Sequence, residues 1–106
     1  MSLELSPQPT DSLVTLGLRF RLIDVREDYE CHRRPIVSDY RLPLSRFDLS
    51  ELHVSRDADL LVVCEQGQRS LKATQILRRE GWHKAYSLRG GLSYLWPDHD
   101  DMAQAV

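Results

Sequence analysis

The sequence predicts an α/β fold, a roughly five-stranded and mainly parallel sheet with helices on both faces. Two observations carry this expectation. Leu60, Leu61, Val62 and Val63 are four consecutive aliphatic residues, the composition of a strand buried on both faces, as strands of parallel sheets are. Along the whole chain, short segments of β-formers alternate with stretches of helical periodicity, the order that builds a parallel sheet through crossover helices. The 106 residues, 42% of them apolar, suit one compact domain over residues 1–97 with a single supply of core. Residues 98–106, polar at first and without a pattern of their own, are expected to form a flexible tail.

Each element has its own signal. Leu3, Glu4 and Leu5 suggest a short edge strand. Pro7 and Pro9 punctuate a turn, after which Thr10 or Asp11 is expected to cap a short helix ending near Gly17. Residues 20–25 read as a buried strand, and residues 26–31 as the beginning of a short helix with acidic residues at its start. The 35–43 segment is expected to be irregular, with a short strand at Tyr40, Arg41 and Leu42 broken by Pro43. Residues 45–52 suggest a short helix with Phe47, Leu49 and Leu52 inward. After the strand at 59–64, a helix over 70–80 places Ala73, Ile76 and Leu77 on one face and Lys72, Arg78 and Arg79 on the other. Gly81 suits its end. Residues 85–88 form the last strand, and Gly90 and Gly91 open a final helix through Trp96, stopped by Pro97.

Charge and cysteine usage narrow the function. The net charge is −2, and the Arg33–Arg34 doublet is no nucleic-acid footprint, so no nucleic-acid partner is expected. No apolar run has membrane-spanning length, and the first nine residues lack the basic-then-apolar order of a leader, so no membrane partner is expected either. Cys31 and Cys64 form no CxxC pair and no Cys/His zinc spacing; no metal and no cofactor are expected, and the setting is expected to be reducing and cytoplasmic. His32, His53, His83 and His99 are scattered and read as surface residues.

The chemistry is concentrated in Cys64-Glu65-Gln66-Gly67-Gln68-Arg69 and the Ser70 that follows. Cys64 ends the best strand, and in parallel α/β sheets sites form beyond the carboxyl ends of strands. The next helix begins with unpaired N–H groups and partial positive charge. Gly67 permits a positive φ, so that successive amides can turn inward around the sulfur. Arg69 adds a planar cation suited to an oxyanion. Such surroundings favour a thiolate. A cysteine ending an apolar strand is otherwise often a small buried hydrophobe; the glycine, the arginine and the immediate helix weigh against that reading here. Cys31 has no such loop and is expected to be structural.

Leu22-Ile23-Asp24-Val25-Arg26-Glu27, then Cys64 through Ser70, then Leu88-Arg89-Gly90-Gly91 resemble the three signature stretches of single-domain rhodanese-like proteins, the thiosulfate sulfurtransferase family, in the right order. The resemblance runs from Leu3 to Trp96 and implies the rhodanese-like form of the α/β fold. It implies an enzyme in which Cys64 is the nucleophile and persulfide carrier, taking sulfane sulfur from a small anionic donor such as thiosulfate, or from a protein persulfide, and passing it to a thiophilic acceptor that can itself be a protein. By the same resemblance the amides of Glu65, Gln66, Gly67, Gln68, Arg69 and Ser70 hold the persulfide, and Arg69 helps hold the donor. Asp24 and Arg26 support the neighbouring strand end, and Gly90 and Gly91 allow a tight turn and close packing. Related phosphatases place five residues between Cys and Arg; the four here leave less room for a phosphoryl group and rank phosphatase or arsenate-reductase chemistry lower. A rhodanese fold kept as a low-activity docking or regulatory domain, within a larger sulfur-carrier-activating protein for instance, is the main alternative.

Three features depart from the family pattern. Of its His-x-x-Gly-Ala-x-x-Ile-Pro stretch, only Leu42-Pro43-Leu44 corresponds, so the path of the 35–43 connection is open. The family's tryptophan four residues after the second glycine falls on Leu95, with Trp96 one place later. Glu65 sets a carboxylate beside Cys64: turned into the pocket it opposes a thiolate and a dianionic donor, and turned to solvent it is screened. On this reading Glu65 favours a donor of low charge over free thiosulfate.

Overall fold

The computed structural model describes residues 2–96. Pro97 and the expected tail at 98–106 lie outside the described residues. The five strands are β1 (Glu4–Leu5), β2 (Arg21–Asp24), β3 (Tyr40–Arg41), β4 (Leu60–Val63) and β5 (Ala85–Leu88), and they form one sheet in the order β1-β5-β4-β2-β3. Every pairing is parallel, so the sheet is more uniform than the expected mainly parallel one. The helices are α1 (Leu13–Arg19), α2 (Asp28–Arg33), α3 (Gln68–Arg79) and α4 (Gly91–Leu95).

The central strand shows how the sheet separates two cores. Side chains alternate along a strand. Leu60 and Val62 of β4 therefore join Ala73 and Leu77 of α3, while Leu61 and Val63 join Leu16 of α1 and Leu92 of α4 on the other face. All four β4 residues are inaccessible to solvent. That explains why the strand reads as an unbroken aliphatic run rather than an alternating one. No described helix is long and apolar enough to cross a membrane.

Several boundaries differ from the sequence reading. Ser12, not Thr10 or Asp11, caps α1. Ser12 Oγ accepts from the Thr15 amide (3.2 Å) and Thr15 Oγ1 accepts from the Ser12 amide (2.8 Å), a reciprocal box in which threonine does what glutamate commonly does. Asp11 instead accepts from the Gln8 amide (2.7 Å) and closes the preceding turn. With its start fixed later, α1 continues through Gly17 to Arg19. The helix expected over 45–52 is two separate 3₁₀ turns, Leu44–Arg46 and Leu49–Glu51. Asp48 Oδ1 accepts from both the amide (3.0 Å) and the hydroxyl (2.6 Å) of Ser50, a local alternative to helix continuation. Leu52 is nevertheless buried, with Phe47 and Leu49 packed beside it. In the irregular 35–43 connection, Asp39 stands in for a longer strand: its carboxylate accepts from the Leu22 amide (2.8 Å) and its amide donates to the Leu22 carbonyl (3.0 Å), ahead of the two-residue β3.

Two shifts matter for what the fold positions. The helix expected at 26–31 begins at Asp28, because Arg26 is fully buried in contacts with Asp24. α3 begins at Gln68, two residues before its expected start, because Gly67 caps it in the left-handed region (φ 92°). Gly81, at φ 104°, follows the other end of α3 as expected. The predicted inner face of α3 holds for Ala73 and Leu77, joined by Ser70 and Thr74, while Ile76 is only half-buried. Leu77→Ala should cost about 2–5 kcal/mol, because the cavity would open where α3 meets the centre of the sheet. Urea unfolding of the variant measures it.

Candidate active site

Cys64 stands immediately beyond the carboxyl end of β4, with only 1% of its surface exposed. The chain turns at Gly67 and enters α3, which bends the loop back over the sulfur. The Gly67 amide (3.1 Å) and the Ser70 amide (3.3 Å) both donate to Cys64 Sγ. The early start of α3 puts the Ser70 amide among the unpaired N–H groups of the first helical turn. Two preorganised dipoles therefore point at the position where negative charge would sit on sulfur.

A short chain of hydroxyls runs beneath the sulfur. Cys64 Sγ lies 3.4 Å from Ser70 Oγ, which lies 2.7 Å from Ser87 Oγ, which in turn lies 3.5 Å from the Gly67 carbonyl oxygen. Ser70 and Ser87 are fully buried. A neutral thiol can donate to Ser70; a thiolate can accept from Ser70 once Ser87 donates to Ser70 in turn. The hydroxyls thus satisfy either protonation state without moving heavy atoms.

The loop rests on the glycine pair of the third signature stretch. The Leu92 amide donates to the Cys64 carbonyl and the Ser93 amide to that of Glu65, each at 2.9 Å. Carbonyls are thereby held on the floor side while the amides face the sulfur. Gly91 (φ 69°) leaves no room for a side chain: a Cβ there would lie 2.5 Å from the Glu65 carbonyl oxygen and 2.6 Å from the Gln66 nitrogen. A Cβ on Gly67 would come within 3.2–3.3 Å of the backbone at Leu88, Gly90 and Gly91.

Behind the loop, Asp24 and Arg26 form a buried ion pair. Arg26 Nε lies 3.0 Å from Asp24 Oδ1 and Nη2 lies 2.9 Å from Oδ2. The remaining nitrogen, Nη1, reaches the Glu30 carbonyl oxygen (3.4 Å) and Glu65 Oε1 (3.3 Å). Burial works against the Arg26 charge, but the hydrogen bonds and charge of Asp24 outweigh it, and its pKa is raised. The buried Cys31 thiol donates to Asp24 Oδ2 (3.4 Å), and burial, with Asp24 second, raises its pKa. The Glu65 carboxylate is not free in solvent but paired. It takes Arg26 on one oxygen and approaches Arg34 at 3.8 Å on the other.

The cavity above the sulfur, about 280 Å³, is lined by Glu30, Cys64, Glu65, Gln66, Gln68 and Arg69. All the site residues singled out in the sequence meet here: Cys64 and four of its followers at the cavity, Gly67 and Ser70 supplying amides below, and Asp24 and Arg26 behind. Sequence reasoning missed Glu30 and Ser87. Glu30 Oε1 and Oε2 receive the two ends of the Arg69 fork at 2.5 and 2.8 Å. That contact lowers the Glu30 pKa against the opposing effect of burial, and raises that of Arg69. Nothing local in the sequence links residues 39 apart. Ser87 did leave a signal, a hydroxyl in the middle of an otherwise buried strand. His32, His53 and His83 are exposed, and among the described residues no group of three or more His, Cys, Asp or Glu is placed to hold a metal.

Comparisons with known proteins point the same way. The family model of the rhodanese-like domain matches residues 10–96. The chain is 28% identical over 78 residues to a sulfurtransferase of Allochromatium vinosum, covering 74% of this chain and 72% of that one. It is 34% identical over 71 residues to the Bacillus subtilis protein YqhL, covering 67% of this chain and 56% of that one. Its fold is similar to that of the human single-domain sulfurtransferase TSTD1, with a TM-score of 0.70 at 24% identity over 93% of this chain and 98% of that one.

Two outcomes follow from this geometry. Gly91→Ala should destabilise the protein by about 2–4 kcal/mol through a strained φ and backbone overlap, measured by denaturant unfolding. The Glu30–Arg69 pair has a signed pH dependence. Because the folded Glu30 pKa is lowered, its contribution is whole above the ordinary glutamate value of about 4.3 and is lost as pH falls through the lower folded value. The stability difference between the native protein and Glu30→Gln should therefore narrow on acidification below that point, as unfolding midpoints taken between pH 7 and pH 3 will register.

Proposed function

Because the chain belongs to the rhodanese-like domain family, we propose that it is a sulfurtransferase that carries sulfane sulfur as a persulfide on Cys64. The observation that carries this reading is the cradle around Cys64 Sγ, in which the Gly67 and Ser70 amides donate to a sulfur at the floor of a small polar cavity. In the first half-reaction the Cys64 thiolate attacks the outer sulfur of the donor. The donor's S–S bond breaks, its leaving group departs with the electron pair, and a new S–S bond forms on Cys64. In the second half-reaction an acceptor thiolate attacks the outer sulfur of the persulfide and returns Cys64 to the thiolate.

The residues of this chain have separable parts in that cycle. The two amides stabilise the anionic sulfur each time Cys64 becomes the leaving group. Ser70, backed by Ser87, donates to the thiolate and accepts from the thiol. Glu65, Gln66, Gln68 and Arg69 form the walls against which the outer sulfur and the donor rest. Asp24 and Arg26 act at one remove, by holding Glu65 and the α2 carbonyl in place. A reducing, cytoplasmic setting suits the cycle, since both cysteines are free. The acceptor is a thiol on a small molecule or on another protein.

The cavity also bears on the phosphatase alternative. Its walls bring two carboxylates, Glu30 and Glu65, against one arginine that is already paired, a poor setting for a phosphoryl dianion. The chain loaded with thiosulfate or cysteine persulfide should gain one sulfur atom by intact mass and release it to cyanide or a thiol. Cys64→Ser should gain none, whereas Cys31→Ser should load as the native protein does. Sulfur retained in the absence of Cys64 would refute the assignment, and an unloaded native protein would favour the docking-domain reading.

A further inference from the structure

Three arginines around the cysteine loop each already have a carboxylate partner. Arg69 is forked onto Glu30, Arg26 onto Asp24 with its last nitrogen at Glu65, and Arg34 lies 3.8 Å from the same Glu65. Three guanidinium charges (Arg26, Arg34, Arg69) thus face three carboxylates (Asp24, Glu30, Glu65), a formal sum of zero. The sulfur of Cys64 is held by uncharged N–H donors instead. Resting on the persulfide reading of Cys64, we propose that Glu30 is a specificity-determining residue. By holding Arg69 it withholds the cavity's cation from dianionic donors such as thiosulfate, and suits the site to persulfides.

The pair is fixed from both sides. Glu30 sits in the first turn of α2, where its carboxylate also accepts from the Glu27 amide at 2.9 Å, and Arg69 sits in the first turn of α3. The Glu30 side chain is only 11% exposed. For Arg69 to turn to a dianion, Glu30 must give up its strongest partner, with little water to replace it, while a second negative species enters the same cavity. Like charges at such range disfavour one another, and a carboxylate left unpaired in a half-buried site keeps its desolvation cost. Glu65, the other acidic wall, offers no relief, since it is committed to Arg26.

A persulfide avoids this conflict. In R–S–SH the sulfur under attack is neutral, and the group carried with it need bring no second charge into the cavity. The Cys64 thiolate attacks the outer sulfur, the persulfide's S–S bond breaks, and R–S⁻ leaves with the electron pair. The outer sulfur keeps its hydrogen and becomes Cys64–S–SH, so atoms and electrons balance with no oxidant or reductant. The departing R–S⁻ carries one charge and leaves toward solvent. Sulfite, the leaving group from thiosulfate, would depart as a dianion past Glu30.

Glu30→Gln is the informative variant. Glutamine keeps an acceptor oxygen for the Glu27 amide, so the start of α2 is preserved, and it removes the charge that holds Arg69. The full chain is assayed with two probes, thiosulfate and cysteine persulfide, following kcat/KM and the sulfur mass on Cys64. The native protein should prefer cysteine persulfide. In Glu30→Gln, kcat/KM for thiosulfate should rise about tenfold or more and become more sensitive to salt, since a freed guanidinium now attracts the dianion. The inference is overturned if the native protein, with no substitution at all, uses thiosulfate at least as well as the persulfide. It is also overturned if Glu30→Gln still loads from the persulfide while its thiosulfate kcat/KM is unchanged or lower. Absence of sulfur on Cys64 with both probes would remove the persulfide reading itself, and this proposal with it.

Discussion

The buried pair of Asp24 and Arg26 is the constraint around which the site is built. It closes the carboxyl end of β2, and from there Arg26 reaches a carbonyl of α2 and the carboxylate of Glu65 in the cysteine loop. The strand end, the helix that follows it and a loop 39 residues further on therefore share one guanidinium. A buried ion pair is an uncertain source of net stability, because two charges must be taken out of water to make it. Its effect here is geometric. With neither charge able to remain buried alone, the strand end, the helix and the loop are fixed in one mutual arrangement. Cys31 adds to the same knot by donating to Asp24, which accounts for a second buried cysteine that has no loop of its own.

Much of the fold was legible because it is written in short-range patterns. The aliphatic run of β4 and the amphipathic face of α3 announced a parallel sheet with a covering helix, and the sheet and its central strand are as expected. The misread parts have a common origin in side chains that bond to nearby backbone. Ser12 and Thr15 moved the start of α1, and Asp48 divided a helix into two turns. Each is a local competition that hydrophobic periodicity does not register.

The candidate site was legible where it is contiguous and obscure where it is assembled. Cys64 through Ser70 form one stretch, and the requirement for a turn after a strand-end cysteine can be argued from Gly67 alone. The partner of Arg69 lies on another helix, and only the fold brings Glu30 to it. That contact changes the meaning of the arginine. In the sequence it reads as a free cation ready for an anion, whereas in the fold it is one half of a forked pair. Glu65 underwent the opposite change, from an isolated carboxylate beside the nucleophile to one bound by Arg26. Electrostatic character at this site belongs to the tertiary structure and not to the loop's own composition.

The contact between Gly91 and the Glu65–Gln66 peptide also limits what the domain can become. The loop lies so close to the first turn of α4 that even a methyl group has no place between them. An inserted residue could not bulge downward, and lifting the loop would carry the amides of Gly67 and Ser70 away from the sulfur they surround. A wider cradle, large enough for a tetrahedral oxyanion, is therefore not one insertion away. A longer loop would press against the first turn of α4. The glycine floor thus couples the length of the cysteine loop to the position of α4.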